Sequence, residues 1–534
     1  MLEFPFPFSV PIIPFLLPLL FIFHILYRYF AAPLYHVPAA HPLAHITSLW
    51  ILYIRFRAIE NQTLKAAHGR LGPVIRLGPK EVSVNCVKGG IREVYAGGME
   101  KGDGGYSWYS FFSNYGGVPN MFSTAGNRPH STRKRMLSNV YSKSVVTSSP
   151  ALLAQASSIL YERFLPSLSS TFSSPDPGVL NMYAFLCATT MDIVTGYIFG
   201  LASSSNLISN PKQLDWFLDL YNSRRSYNFW PQELPNLTEW VRRVGYRLVP
   251  KWVDEANGEI EKWTEGMCES AAAVLRLSEV KVEDTPVVYQ QLSAALSREA
   301  KKAGNEKADL TYPIASEVLD HLAAGFDTSG ITLTYVIHQL SKNPSIQDNL
   351  RTELLSLSPP LIPSSAPVIP DPKAVDALPL LHAVIWETLR LHPAIPGPQP
   401  RVTPPSGCRL GPEERSYYIP AGVRVSASAG ILHSNEEVYE KAGEWRPQRW
   451  LEKVGEEKKK DMESRWFWSF GSGAGRMCVG SHLAVYQMKY IVAALYSNFE
   501  THIIDDTGIE QSDAYTAPPK SGKLMIRLEH VNTG

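Results

Sequence analysis

Phe470-Gly471-Ser472-Gly473-Ala474-Gly475-Arg476-Met477-Cys478-Val479-Gly480 is the stretch on which the reading of this chain turns. It is a glycine-dense loop that delivers one cysteine just before an apolar helical run over residues 482–495. Glycines let a backbone pack against a flat ligand and point N–H groups at a sulfur. A cysteine at a helix N-terminus is favoured as thiolate by the dipole and the unpaired N–H groups. Arg476, two residues ahead, suits a carboxylate on the same ligand. A tight turn around a structural cysteine would need the glycines alone. The order Phe-x-x-Gly…Arg-x-Cys-x-Gly asks for more.

Working upstream, residues 444–450 read Glu-Trp-Arg-Pro-Gln-Arg449-Trp, and Arg401 follows the Pro-rich residues 396–400. Glu387 and Arg390 stand at i,i+3, so they can meet on one helical face. The same spacing occurs at Glu239 and Arg242, so the pair alone decides nothing. Ala324-Gly325-Phe326-Asp327-Thr328-Ser329 falls inside a helix predicted from Thr311, a plausible cap, to about residue 341. A mid-helix glycine costs about 1 kcal/mol against alanine. Here it would let a ligand approach the helix backbone beside an acid and an alcohol. His130-Ser-Thr-Arg133-Lys134-Arg135 is a basic cluster in which any of the three cations can bind carboxylates.

The rest of the chain bounds the class. Its 534 residues carry 51 Lys+Arg and 50 Asp+Glu, a formal charge of +1, which argues against nucleic acid as the main partner. The 45% hydrophobic share excludes a disordered or collagen-like chain. Five scattered cysteines without a CxxC pair indicate free thiols, with neither a disulfide framework nor a zinc ribbon. Residues 4–27 hold no charge, long enough for a membrane anchor despite Pro11, Pro14 and Pro18. A cleaved signal peptide would want a positive start, and only Glu3 is charged there. Arg28 behind the run puts the body on the cytosolic side. The expected organisation is an anchor over 1–30, a stiff Pro-containing linker over 31–45 and one helix-dominated body over 46–534. Within the body we expect a hairpin over 72–86, a Ser/Pro loop over 165–178, a buried helix over 181–200 and a Pro-rich loop over 357–372. A helix over about 375–391 and a solvated charge run over 452–465 complete the expectation.

Together these motifs, in this order, resemble the cytochrome P-450 family. The loop is similar to the family's Phe-x-x-Gly-x-Arg-x-Cys-x-Gly signature, with one extra residue between Gly473 and Arg476. The resemblance implies a mainly α fold with small β-sheets, a triangular helical prism behind the N-terminal anchor. It implies haem b with Cys478 thiolate as the axial iron ligand. It further implies cofactor contacts from Arg476, His130, Lys134, Arg401, Phe470 and Gly473, and a structural triad of Glu387, Arg390 and Arg449. Asp327 and Thr328 would be the catalytic pair that protonates dioxygen through water. The implied function is a monooxygenase of the endoplasmic reticulum membrane, fed by NADPH through a reductase. It would oxidise an apolar small molecule, as fungal members do in secondary metabolism. A peroxide isomerase or dehydratase, and a non-catalytic membrane haem protein, are the alternatives. The resemblance puts the substrate pocket over residues 106–120, 222–240, 323–328 and 394–399, whose aromatic content suggests a bulky apolar ligand.

Overall fold

The computed structural model describes residues 13–102, 107–473 and 475–531. Residues 1–12 of the expected anchor, Tyr106 and Ala474 lie outside these. The apolar start forms helix α1 (Ile13–Phe30), which keeps Pro18 inside it and leaves Leu17, Phe21 and Phe23 exposed. Its 18 residues rise about 27 Å, close to the ~30 Å of a bilayer core. Residues 31–45 do not run free. Leu34 and Val37 are buried against Val82 and Val425, and Ala39 bridges to Arg76.

The strands are β1 (Val74–Gly78), β2 (Glu81–Val84), β3 (Val179–Asn181), β4 (Arg401–Val402), β5 (Cys408–Leu410), β6 (Tyr417–Ile419), β7 (Arg424–Ala427), β8 (Phe499–Asp505) and β9 (Met525–His530). They make three small sheets, ordered β1-β2-β7-β4, β3-β9-β8 and β5-β6. The expected hairpin is β1–β2, paired Val74 to Val84. Every residue of β1 and β2 is buried, so both faces of the hairpin are covered.

The helices that position the site are α2 (Leu49–Phe56), α3 (Asn127–Leu137), α4 (Met182–Phe199), α5 (Pro211–Ser223), α6 (Phe229–Glu233), α7 (Pro235–Arg243), α8 (Thr311–Lys342), α9 (Pro379–Leu391) and α10 (Ser481–Tyr496). Helix α4 is apolar on all sides and is buried as the sequence predicts. Although long and apolar enough to cross a bilayer, 89% of it lies inside the protein. The 32-residue α8 crosses it at close range, because a Cβ on Gly330 would meet Cys187 Sγ at 2.9 Å. Leu381, Val384, Ile491 and Leu495 of α9 and α10 extend the same core.

Three local expectations change. Residues 165–178 begin as a helix, Leu165–Ser170, because Leu165 and Leu168 bury their side chains, which outweighs the serines. Thr311 is the first residue of α8 and not its cap. The Asp309 carboxylate accepts the Thr311 N–H at 2.9 Å. The helix expected over 375–391 is two, Pro372–Asp376 and α9, since Pro379 cannot continue the first.

Candidate functional site

One cavity of about 1430 Å³ lies between α8, the loop before α10, α3, β4 and the segment from α5 to α7. Trp108, Phe112, Phe122 and Tyr515 form one wall, with ring centroids 5.0–6.1 Å apart. Arg224, Arg225, Asn257 and Glu261 form another. The aromatic lining expected from the sequence is present, and a charged patch faces it.

Cys478 lines the cavity wall and is accessible there. Its N–H donates to the Phe470 carbonyl at 2.8 Å, so Phe470 and the cysteine close the loop. Inside that closure, the N–H groups of Arg476 and Met477 both turn back to the Gly473 carbonyl, at 3.0 and 2.9 Å. Gly471 and Gly473 have φ of +67° and +83°, which side-chain-bearing residues rarely adopt. The Cys478 N–H keeps its Phe470 partner although the loop is one residue longer than the family's signature. Burial pushes the Cys478 thiol up, against the Gly480 and Ser481 N–H groups and the Lys134 ammonium, which pull it down. Burial wins. The helix N-terminus does not by itself yield the expected thiolate; a cation against the sulfur completes it.

Cations surround the loop. Arg401, on β4, is 4% exposed and donates to the Tyr109 hydroxyl. Arg476 donates to the Asn127 side-chain oxygen. Arg401 Nε and Arg476 Nη1 are buried without a hydrogen-bond partner, and neither residue forms an ion pair among the described residues. His130 faces backbone, its Nδ1 2.9 Å from the Met121 carbonyl and its Nε2 3.2 Å from the Gly475 carbonyl. Burial first, then Lys101 and Arg476, lower it to about 3, so it is neutral. Of the basic cluster, Arg133 pairs with Glu317 at 2.9 Å and Arg135 bonds Thr132 on the surface. Lys134 lines the cavity and donates to the Met477 carbonyl at 2.7 Å. Lys101, buried on the same wall, is a cation that sequence reading missed, because no local pattern marks it.

Across the cavity, Asp327 and Thr328 stand on the inner face of α8. Thr328 Oγ1 donates to the Ala324 carbonyl at 2.8 Å. Asp327 is 1% exposed, with Oδ1 2.8 Å from Arg225 Nη2 and Oδ2 without a partner. Arg225 was not foreseen, since it lies 102 residues away. Gly325 is also demanded by packing. It lines the cavity, and a Cβ there would meet the Val194 methyl at 2.8 Å, so the glycine also admits α4. Asp320 was also missed, although its spacing to Ala324 and Asp327 puts it on the same face of α8. Burial lifts its carboxyl to about 7.

Beneath the loop, Glu387 is fully buried. It accepts from Arg390 Nη2 at 2.8 Å and Arg449 Nε at 3.0 Å. The matching pair Glu239–Arg242 is a surface bridge at 2.8 Å.

The donor set fits an iron porphyrin: a lone sulfur on one wall, and buried guanidiniums with orphaned N–H groups where a flat ligand's carboxylates would lie. The family described as Cytochrome P450 matches residues 42–526. The chain belongs to the cytochrome P450 family, a class of haem-thiolate oxidoreductases. It is 29% identical over 441 residues to the cytochrome P450 monooxygenase avaI of Aspergillus versicolor, covering 80% of this chain and 95% of that one. It is 25% identical over 499 residues to the cytochrome P450 monooxygenase orf2 of Aspergillus niger, covering 92% and 91%. An Acremonium relative, the cytochrome P450 monooxygenase ucsK, is 26% identical over 490 residues.

Proposed function

We propose that this chain is a membrane-bound monooxygenase that inserts one oxygen atom of O2 into an apolar small molecule, with electrons from NADPH through a reductase. The observation that carries the reading is the acid–alcohol pair Asp327–Thr328 on the cavity that also holds Cys478. Cys478 would hold haem b, with Arg401, Arg476 and Lys134 near its carboxylates and Phe470 and Gly473 shaping the loop. When bound, that group supplies reductive activation of dioxygen. The chain itself keeps protons ready. Thr328 holds one at Oγ1, parked on the Ala324 carbonyl, and Asp327 keeps a buried Oδ2 without a partner while Arg225 fixes Oδ1. The Trp108–Tyr515 wall keeps bulk water out and offers apolar surface to a substrate. The likeness to fungal members and this wall support an intermediate of fungal secondary metabolism.

Thr328→Ala and Asp327→Asn are expected to keep the haem spectrum, since neither group reaches the sulfur. They should consume NADPH yet release hydrogen peroxide, with product formation down about 10²–10⁴-fold, the worth of a displaced acid–base group. Coupled turnover in both variants would overturn the relay and favour the peroxide isomerase.

For location we propose a single anchor over 1–30 in the endoplasmic reticulum membrane, the linker segment 31–45 and a cytosolic body over 46–534. Support beyond α1 comes from Leu49, Tyr53 and Phe56, exposed along one face of α2, and from Leu237 and Trp240 on α7 with Val244 just past its end. The Phe56 ring lies 5.4 Å from that of Phe229 on α6, the helix that precedes α7. Deleting residues 1–30 should turn carbonate-resistant membrane binding into carbonate-extractable binding, with haem retained. A glycosidase-sensitive mobility shift traced to Asn61 or Asn236, each the start of an Asn-x-Thr sequon, would instead put the body in the lumen.

A further inference from the structure

Away from the cysteine loop, all but one of the arginines on the cavity have an acid. Arg55 and Arg424 reach Glu233 at 3.1 and 2.9 Å. Arg225 holds Asp327 at 2.8 Å, Arg242 holds Glu239 at 2.8 Å and Arg247 holds Asp254. Arg224 lines the same cavity and forms no ion pair among the described residues. It stands just past the end of α5, with its guanidinium carbon 4.7 Å from the Tyr221 ring centroid. Its Nε donates to the Tyr221 carbonyl at 3.3 Å, and its Nη1 donates to Asn257 Oδ1 on the helix Lys251–Val274. The acid on the same wall, Glu261, is engaged elsewhere, since its Oε1 accepts the Tyr115 N–H. Burial depresses the Arg224 guanidinium, and Tyr221, Asp327 and Glu261 do not make up the difference.

Because the Asn257 oxygen faces Arg224, its amide nitrogen points the other way. Arg224 Nη2 and Asn257 Nδ2 are therefore two donors on one wall, neither with a hydrogen-bond partner among the described residues and neither shut off from the cavity. Water solvates them until a substrate enters. A wholly apolar occupant would strip that water and leave a guanidinium desolvated, which costs far more than burying a neutral group. A carboxylate answers both donors with planar, charge-assisted hydrogen bonds. We propose that the substrate is an apolar molecule carrying a carboxylate, held by Arg224 and Asn257 while its apolar body lies along the Trp108–Tyr515 wall. The next residue cannot take this part, because Arg225 is committed to Asp327. The two neighbouring arginines thus divide the work: Arg225 positions the acid of α8, and Arg224 positions the substrate.

The inference rests on the monooxygenase reading, and its test does not use turnover. Ferric holoprotein is titrated by calorimetry with naphthylacetic, biphenylacetic and dodecanoic acids, each against its own primary amide. At least one acid is expected to bind about ten- to a hundredfold more tightly than its amide, the worth of a charge-assisted hydrogen bond. Arg224→Gln should erase that preference by weakening the acid, with the amide nearly unchanged. Arg224→Lys should keep part of it, since an ammonium retains the charge and loses the fork. Asn257→Ala should weaken the acid less than Arg224→Gln does. If Arg224→Gln does not accumulate, Asn257→Ala carries the test, and an unchanged acid affinity there overturns the proposal. So does a panel in which no acid binds more tightly than its amide, or a preference that survives Arg224→Gln. A wild-type protein that prefers the acid through Arg224, yet forms no product dependent on NADPH and oxygen, would remove the monooxygenase reading and leave the charge preference standing.

Discussion

Cys478→Ala is expected to abolish the red-shifted Soret band of the reduced, carbon monoxide-bound protein, and no other cysteine should be needed for it. Among the described residues Cys478 alone of the five lines the cavity. Cys187 is buried in α4 against Gly330, where burial pushes its thiol up. Cys86 and Cys268 are each pushed up to about 12 and Cys408 to about 11, in each case first by burial. None of these four has a chemical reason to be a thiolate. Cys478 has three groups pulling it down, the Gly480 and Ser481 N–H groups and Lys134, and room for a cation in front of it. Alanine at Cys86, Cys187, Cys268 or Cys408 should leave the band in place, at the ordinary stability cost of a truncated side chain. Carbon monoxide difference spectra of the five single variants decide it. A band that survives Cys478→Ala, or that vanishes with Cys408→Ala, would show the ligand to be misassigned.

What the sequence reveals here depends on how far apart the partners are. The cysteine loop is legible because its demands are local: Gly471 and Gly473 must have positive φ within a few residues of Cys478. Local backbone requirements leave a readable pattern. The cations that complete the site do not. Lys101 meets Arg401 over a ring contributed by Tyr109, and Arg225 finds Asp327 across 102 residues. No spacing rule links such pairs. Gly325 shows the converse. Its glycine is visible, but a further reason for it, the Val194 side chain of α4, belongs to the packing. Residues 165–170 look like a loop because serine and proline are counted locally, whereas the burial of Leu165 and Leu168 is a tertiary fact. The Pro-rich segment 31–45 misleads in the same way, since prolines stiffen a chain whether it is free or packed as Leu34 and Val37 are.

Glu387 and Glu239 make the strongest case, because the chain carries the same Glu-x-x-Arg spacing twice with opposite burial. Glu387→Ala is expected to leave almost no folded holoprotein, while Glu239→Ala should be nearly silent. On α9, the Glu387 carboxylate accepts from Arg390 Nε at 2.9 Å, Arg390 Nη2 at 2.8 Å, Arg449 Nε at 3.0 Å, Trp450 Nε1 at 2.9 Å and the Arg446 N–H at 2.9 Å. Its removal strands two guanidiniums that are 1% and 4% exposed. Breaking a buried pair by removing one partner costs about 3–5 kcal/mol, a large part of the ~5–15 kcal/mol that holds a domain folded. The damage reaches the haem side directly. Ser469 Oγ donates to the Leu389 carbonyl at 2.9 Å, and the Trp468 N–H donates to His433 Nε2 at 2.8 Å. The His433 carbonyl in turn accepts from Arg390 at 2.9 Å. The start of the cysteine loop is therefore tied to the same arginine that Glu387 neutralises. Glu387→Gln keeps an acceptor but turns an N–H₂ group toward the arginines, so it should fall between alanine and wild type. Glu239 sits on the surface with Arg242 and Arg243, where solvent screens both bridges. Thermal melting and the yield of the carbon monoxide band, measured on Glu387→Ala, Glu387→Gln and Glu239→Ala, check the order. A Glu387→Ala protein that melts with the wild type and keeps its band would mean that the two arginines are neutralised by something other than this carboxylate.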